Sequence, residues 1–337
     1  MSNLRAILAG CGNMGNGWCR VVKSRDDITI VALVDVNPEA ASAFAARNSL
    51  TVPHYVSLAE ALTAEQPDVV LDTAVPEARR AIAGTAMEAG CHVLSEKPFA
   101  TSVAEARELL DIAEHTGKTH AVMQNRRYLA GTRGMRQLVA DGVIGEVGMI
   151  CSDFFLGAHF GGFRDEMANV LLLDMAIHTF DQARFMSGMD AATAFCDEFN
   201  LPGSWYRGNA SALVVFEMAG GARYCYRGSW SAEGARTSWE AEWRVIGSRG
   251  TAIWNGVDAP HAEVPEGDGF LRSCRRVEAD GDWRGPEGHA GCIDEMVTAL
   301  INGEQPMTCS RDNAKSLGMV LAAIESADAG RVVPIRL

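Results

Sequence analysis

The chain predicts an α/β protein in two parts: a doubly wound parallel sheet, then an α+β domain with a mostly antiparallel open sheet. Three observations carry that prediction. Short, near-continuous apolar runs alternate with helical segments as far as about Met123. The first of these runs ends directly in a glycine turn, Gly10-Cys-Gly12-Asn-Met-Gly15. Beyond about residue 150, longer aromatic and β-branched runs are joined through glycine pairs. Apolar strands alternating with helices belong to a sheet buried on both faces, and hairpins belong to antiparallel sheets.

The elements follow in order. Strands are expected at 5–9, 28–34, 69–73, 92–95 and 119–123, separated by helices starting near 13 and at 38–47, 57–64, 77–89 and 103–115. Gly90 reads as a helix C-cap, and Pro98 stops the strand before it from continuing in the sheet. In the second part, Ala210–Met218 turns through Gly220-Gly221 into Arg223–Trp230, and Trp239–Ile246 turns through 247–250 into Thr251–Trp254. An amphipathic helix over 313–327 is expected to pack back toward the first domain, with a short closing strand at 331–335. The domains divide as 1–123 and 124–337.

The glycine turn gives the first domain a task. Gly10 allows a tight turn out of the strand, Gly12 lets a pyrophosphate approach the backbone, and Gly15 lets the helix pack on the sheet. The free N–H groups at the helix start then meet the phosphates. The second apolar run ends in Asp35, 20 residues past Gly15. A carboxylate there accepts hydrogen bonds from a ribose 2′-OH and repels a 2′-phosphate, and Val36 to Glu39 contains no arginine. NAD is therefore expected, and NADP disfavoured.

Composition narrows the partners. A chain of 337 residues with 47% hydrophobic and 22% charged residues buries a large core. Its net charge of -13 argues against nucleic acid or an anionic membrane as the main partner. No apolar run reaches the roughly 20 residues of a bilayer span. The N-terminus enters its first strand without a signal core, so a cytoplasmic location is expected. Nine cysteines without a CxxC spacing read as buried fillers, not as disulfides or a zinc site. Cys11, inside the glycine turn, is either a reactive thiol or a small residue tolerated there.

Two constellations carry candidate chemistry. Glu96-Lys97-Pro98 follows the fourth strong parallel strand, and ligands of open α/β sheets bind beyond the carboxyl ends of strands. Lys97 there can hold or accept a hydroxyl proton; the alternative is a surface lysine in a Pro-ended loop. Asp174 and His178, with Asp181 after them, share one face of an expected α-helix by i, i+4, i+7 spacing. Histidine can act as general base and Asp174 can orient it; the alternative is polar groups satisfied locally. Two ligands without a clear third leave no metal expected.

These residues resemble the Gfo/Idh/MocA oxidoreductases, the glucose-fructose oxidoreductase and inositol dehydrogenase family, over essentially the whole chain. The resemblance rests on Gly10–Gly15, Asp35, Ala89-Gly-Cys-His-Val-Leu-Ser-Glu-Lys-Pro98, Gly142-Val-Ile-Gly-Glu146 and Leu173-Asp-Met-Ala-Ile-His178. It implies a Rossmann domain, a C-terminal domain whose open sheet builds a homodimer or homotetramer, and NAD(P)-linked chemistry on a sugar, sugar acid or cyclitol. It makes Lys97 and His178 the groups on the reacting hydroxyl, with Asp174 their partner. The cofactor set becomes Gly10, Gly12, Asn13, Met14, Gly15, Asp35, Glu96, Lys97 and Pro98. Where many members carry a histidine after Val75-Pro76, this chain has Arg79.

Specificity does not carry over with the resemblance. Candidate substrate groups are Arg126, Arg127, Tyr128, His159, Arg164 and Asp181, each equally able to form a structural ion pair or contact. Trp205, Tyr206, Trp230 and Trp239 line either a sugar site or an oligomer interface, or simply pack. The rival to an enzyme is a non-catalytic NAD(P)-binding sensor of the same fold. Presence of Lys97, Asp174 and His178 together favours the enzyme, because a sensor needs the cofactor pocket alone.

Overall fold

The computed structural model describes residues 3–280 and 283–337. Contacts gather the chain up to Asn125 with Pro286–Ala314 into a first unit, and Arg126–Gly285 with Lys315–Arg336 into a second.

The first unit begins β1 (Leu4–Ala9), α1 (Asn13–Lys23), β2 (Ile28–Val34), α2 (Pro38–Asn48), β3 (His54–Tyr55), α3 (Leu58–Glu65) and β4 (Val69–Asp72). It continues with α4 (Pro76–Glu88), β5 (His92–Ser95), α5 (Val103–Thr116) and β6 (His120–Val122). The six strands lie in the order β3-β2-β1-β4-β5-β6, all parallel. Ile7, Leu8, Val70, Leu71, Val93 and Leu94 are each 0% exposed, as strands covered on both faces require. Each such side chain contributes about 1.5–3 kcal/mol by leaving water. Helix starts follow local chemistry: Asn37 accepts from the Glu39 N–H ahead of Pro38, and Ser102 accepts from the Glu105 N–H.

The second unit holds α6 (Ala130–Ala140), β7 (Val147–Phe155), α7 (Phe163–Glu166), a π-helical segment (Leu171–Ala176), α8 (Ile177–Ser187), β8 (Ala191–Phe199), β9 (Ser211–Met218) and β10 (Arg223–Ser229). Then come β11 (Glu242–Gly247), β12 (Thr251–Trp254), β13 (His261–Glu266) and β14 (Ser273–Glu278). After α9 (Gly288–Asn302), α10 (Ser310–Ala329) and β15 (Val333–Pro334) finish the chain. Nine strands order as β14-β13-β12-β11-β7-β10-β9-β8-β15, antiparallel except for the β10–β7 pair. On β9, Val214 and Phe216 are buried while Leu213 and Val215 are 45% and 41% exposed. Phe180 of α8 covers the inner face, meeting Phe216 at 4.8 Å and Tyr226 at 5.2 Å, both edge to face.

One expectation needs correction. The expected division at 123/124 gave everything beyond it to the second domain, but α9 belongs to the first unit. Asp294 pairs with Arg25, the Cys292 thiol lies 3.9 Å from the Val122 carbonyl, and Cys292 and Ile293 are fully buried. The start of α10, up to Ala314, belongs to the first unit, and from Lys315 onward the helix bonds within the second: Ser316 to Asp181 at 2.7 Å, Lys315 to Asp190 at 2.6 Å, and Ser326 to the Cys196 N–H at 3.0 Å. All nine cysteines are free. Among the described residues, no helix is long and apolar enough to cross a membrane.

His120 is 2% exposed, 3.1 Å from the Ser95 hydroxyl and edge-on to Phe99. Burial lowers its pKa from 6.5 to about 4. Below pH 6.5 the unfolded chain takes up this proton while the folded chain does not, so stability present at neutral pH is lost as pH falls toward 4. His120→Gln is expected to flatten that part of the thermal-midpoint-against-pH curve; a wild-type slope in the variant contradicts the assignment.

Candidate active site

The cofactor half of the site stands at the carboxyl ends of β1, β2, β4 and β5. Gly10 has φ +93°, and a Cβ there would lie 2.5 Å from the Ala74 backbone nitrogen. No other residue fits that turn. A Cβ at Gly12 meets nothing within 4 Å, so its surface is open for a diphosphate, and α1 starts there without a side-chain cap. Asn13 and Met14, in the first turn of α1, are exposed. Gly15 is buried, with room for a Cβ limited by the Gly10 carbonyl at 2.9 Å.

Asp35 is half-buried at the end of β2. Its Oδ2 accepts from the Cys11 N–H at 2.8 Å and its Oδ1 from the Asn37 N–H at 2.9 Å. The carboxylate is thus fixed beside the glycine turn, with lone pairs to spare for a ribose hydroxyl. Cys11 is 3% exposed, and burial first, then Asp35, pushes its thiol up to about 12. That makes it an inert small residue in the turn.

The Glu96-Lys97-Pro98 segment is held from both sides. Glu96 is 4% exposed; it accepts from the Trp18 indole N–H at 3.0 Å and from the Lys97 N–H at 3.2 Å, with His289 Nε2 3.8 Å away. Lys97 is half-buried, and its bond to Pro98 is cis. Arg79, which sequence marked merely as replacing a histidine, donates to the Pro98 carbonyl at 2.6 Å and to the Ala74 carbonyl at 2.8 Å. It ties the lysine loop to the start of α4. Asp72 lies 4.0 Å from the same guanidinium and is fully buried, which raises its pKa against the pull of Arg79.

In the second unit the expected helical face does not form. Leu171–Ala176 is π-helical before α8 takes over, and a π turn breaks the i, i+4, i+7 alignment. Asp174 is half-buried and bonds Arg164, Nε to Oδ2, at 2.6 Å. His178 is half-buried at the start of α8. Asp181, by contrast, is 1% exposed and accepts from Arg127 at 2.7 and 2.6 Å and from Ser316 at 2.7 Å. For Arg127 and Asp181 the structural ion pair is therefore the arrangement found. Tyr128 is 0% exposed, with the Arg133 guanidinium 5.2 Å from its ring. Arg126 is 7% exposed and pairs with Glu240 at 3.2 Å. His159 stacks on Trp205 at 3.7 Å and pairs with Glu233 at 3.0 Å, all on the surface or near it. Arg164 and His159 are thus the substrate candidates that keep access to solvent.

Glu198 is a residue that sequence did not suggest. Its Oε2 accepts from Asn169 at 2.6 Å, just ahead of the π-helical segment, and burial raises its pKa from 4.5 to about 7. The signal available was faint: an acid beside Asp197 near the end of a strand.

The comparisons place these features in a family. Residues 4–124 match the model of the oxidoreductase family with an NAD-binding Rossmann fold, and residues 132–253 match the GFO/IDH/MocA C-terminal domain. D-apiose dehydrogenase of Paraburkholderia graminis is 26% identical, covering 100% of this chain and 91% of its own. Inositol 2-dehydrogenase of Rhizobium meliloti is 25% identical, covering 98% and 99%. The fold matches that of an oxidoreductase from Agrobacterium radiobacter, solved with NAD+, L-tartaric acid and magnesium, at a TM-score of 0.87 and 22% identity over 99% of both chains.

The raised pKa of Glu198 has a sign that can be checked. Its folded state holds the proton more tightly than the unfolded state, so the stability it gives is full below pH 4.5 and is lost as pH rises through 7. Glu198→Gln is expected to remove that fall from the thermal midpoint while keeping a partner for Asn169. An unchanged slope contradicts it. With its nucleotide turn, its Glu-Lys-Pro loop and both matched domains in view, the chain belongs to the GFO/IDH/MocA oxidoreductase family.

Proposed function

We propose that the protein is an NAD-dependent dehydrogenase acting on a secondary alcohol of a sugar, sugar acid or cyclitol. One observation carries the cofactor choice: the Asp35 carboxylate, held by the Cys11 and Asn37 N–H groups beside the glycine turn. A fixed negative charge there favours a ribose diol and disfavours a 2′-phosphate. Relatives that are dehydrogenases of D-apiose and inositol support a polyhydroxylated substrate.

Bound NAD supplies the carbon that accepts hydride. Gly12 and the uncapped start of α1 receive its diphosphate, and Asp35 its ribose. Lys97 stands on a loop fixed by Glu96 and Arg79. Lys97 or His178 takes the hydroxyl proton as the C–H bond gives up its hydride, leaving a ketone. Asp174 fixes the geometry and is itself held by Arg164. The protein's contribution is alignment and a proton path.

A second copy of the chain binds the outer face of the nine-stranded sheet. Phe195 lies opposite Val215, and Ile246 opposite Met149, with Leu213 on the same face. These five side chains are 36–45% exposed, a run of apolar surface that monomers seldom leave to water.

Lys97→Ala and His178→Ala are each expected to lower turnover by about two orders of magnitude or more, read as nicotinamide absorbance across a panel of sugars, sugar acids and inositols. NAD binding by calorimetry should persist in His178→Ala. Wild-type turnover in either variant removes that residue from the mechanism; NAD binding with no turnover of any ring in the wild type favours the sensor. For assembly, Leu213→Asp with Val215→Asp should reduce the mass measured by light scattering, and a single-chain mass in the wild type contradicts the interface.

A further inference from the structure

A set of aromatic rings in the second unit plays no part in that scheme. Phe160, Phe163 and Trp239 are 42%, 62% and 47% exposed. Phe160 lies 5.1 Å from Trp230 and 6.2 Å from Trp239. Tyr206 stacks on Trp230 at 6.3 Å, and next to it Trp205 carries the stacked His159. The Arg164 guanidinium sits 5.0 Å from the Phe160 ring and 4.8 Å from the Phe163 ring, while its Nε holds Asp174 at 2.6 Å. The rings therefore run from the candidate site residue Asp174 outward to Trp239 without a break.

Exposed rings in contact with one another mark a binding surface. Two features select a hydroxylated ligand over an apolar one. Charged groups border the rings, Arg164 with Asp174 on one side and His159 with Glu233 on another. In addition, the indole N–H of Trp230, the ring against which Phe160 packs, is buried without a hydrogen-bond acceptor among the described residues. A pyranose divides in the same way, with an apolar C–H face and a hydroxyl edge. The negative face of an aromatic ring attracts the former, and the bordering polar groups bind the latter. Phe160 meets Arg164 on one side and Trp239, 6.2 Å from it, on the other, so the rings extend past the side chain that holds Asp174.

We propose that Phe160, Phe163 and Trp239 form a platform for a second ring attached to the reacting sugar, so that the substrate is a glycoside or disaccharide, not a free monosaccharide. The proposal rests on Asp174 standing beside the ring that is oxidised. Its test pairs free D-glucose, D-galactose and D-xylose with their phenyl β-glycosides, titrated into the full-length protein and followed by tryptophan fluorescence and by NAD reduction.

For at least one pair, the phenyl glycoside should bind about tenfold or more tightly than the free sugar. Trp239→Ala and Phe160→Ala should bring that ratio to about one. Equal affinities in every pair, or a preference that survives both substitutions, overturns the platform. So does a change of mass in Trp239→Ala by light scattering, which would make the rings an interface between copies. Failure of the dehydrogenase assignment shows separately, as a glycoside preference by fluorescence with no NAD reduction for any sugar.

Discussion

The close approach of Gly10 to the turn after β4 fixes the geometry on which the cofactor half of the molecule depends. With 2.5 Å between a notional Cβ and the Ala74 nitrogen, two adjacent parallel strands end at one level. Asp35 reaches back from β2 to the Cys11 N–H, and the Glu96-Lys97-Pro98 loop leaves β5 on the other side of β4. Arg79 then joins the Ala74 and Pro98 carbonyls through one buried guanidinium. Charge, hydroxyl acceptor and lysine are thus delivered to one edge of a sheet whose central strands are largely apolar. Such preorganisation is what a redox cofactor needs from a protein, since the electron chemistry belongs to the cofactor.

In the second unit the comparable constraint is an ion cluster. Asp181 gathers Arg127, Ser316 and, at 3.8 Å, Arg184, joining α8 and α10 to the segment after β6. Removing one partner from a buried pair typically costs about 3–5 kcal/mol, because the other charge is left without compensation. With α8 held in this way, the π-helical turn before it sets the direction of Asp174, which meets Arg164 and not Asp181.

Much of this was legible in the residues. The glycine spacing and Asp35 are local signals, and the alternation of apolar strands with helices gave the parallel sheet because both faces of each strand are buried. What escaped depended on contacts far apart in sequence. The assignment of α9 to the first unit follows from Arg25 with Asp294, 269 positions apart, which no periodicity reveals. The face shared by Asp174, His178 and Asp181 assumed a 3.6-residue repeat that the π turn interrupts. Arg127 and Asp181 read equally as site or as ion pair until their 54-residue separation closed to 2.6 Å. β13 and β14 carry too many charged residues to look like strands, since β14 is almost wholly exposed.

The most direct test of the account is calorimetric titration of NAD and NADP into the wild type and Asp35→Ala. The account predicts that NAD binds the wild type at least about tenfold more tightly than NADP, and that the substitution erases the difference. Equal affinities in the wild type, or a preference that Asp35→Ala leaves intact, would contradict it.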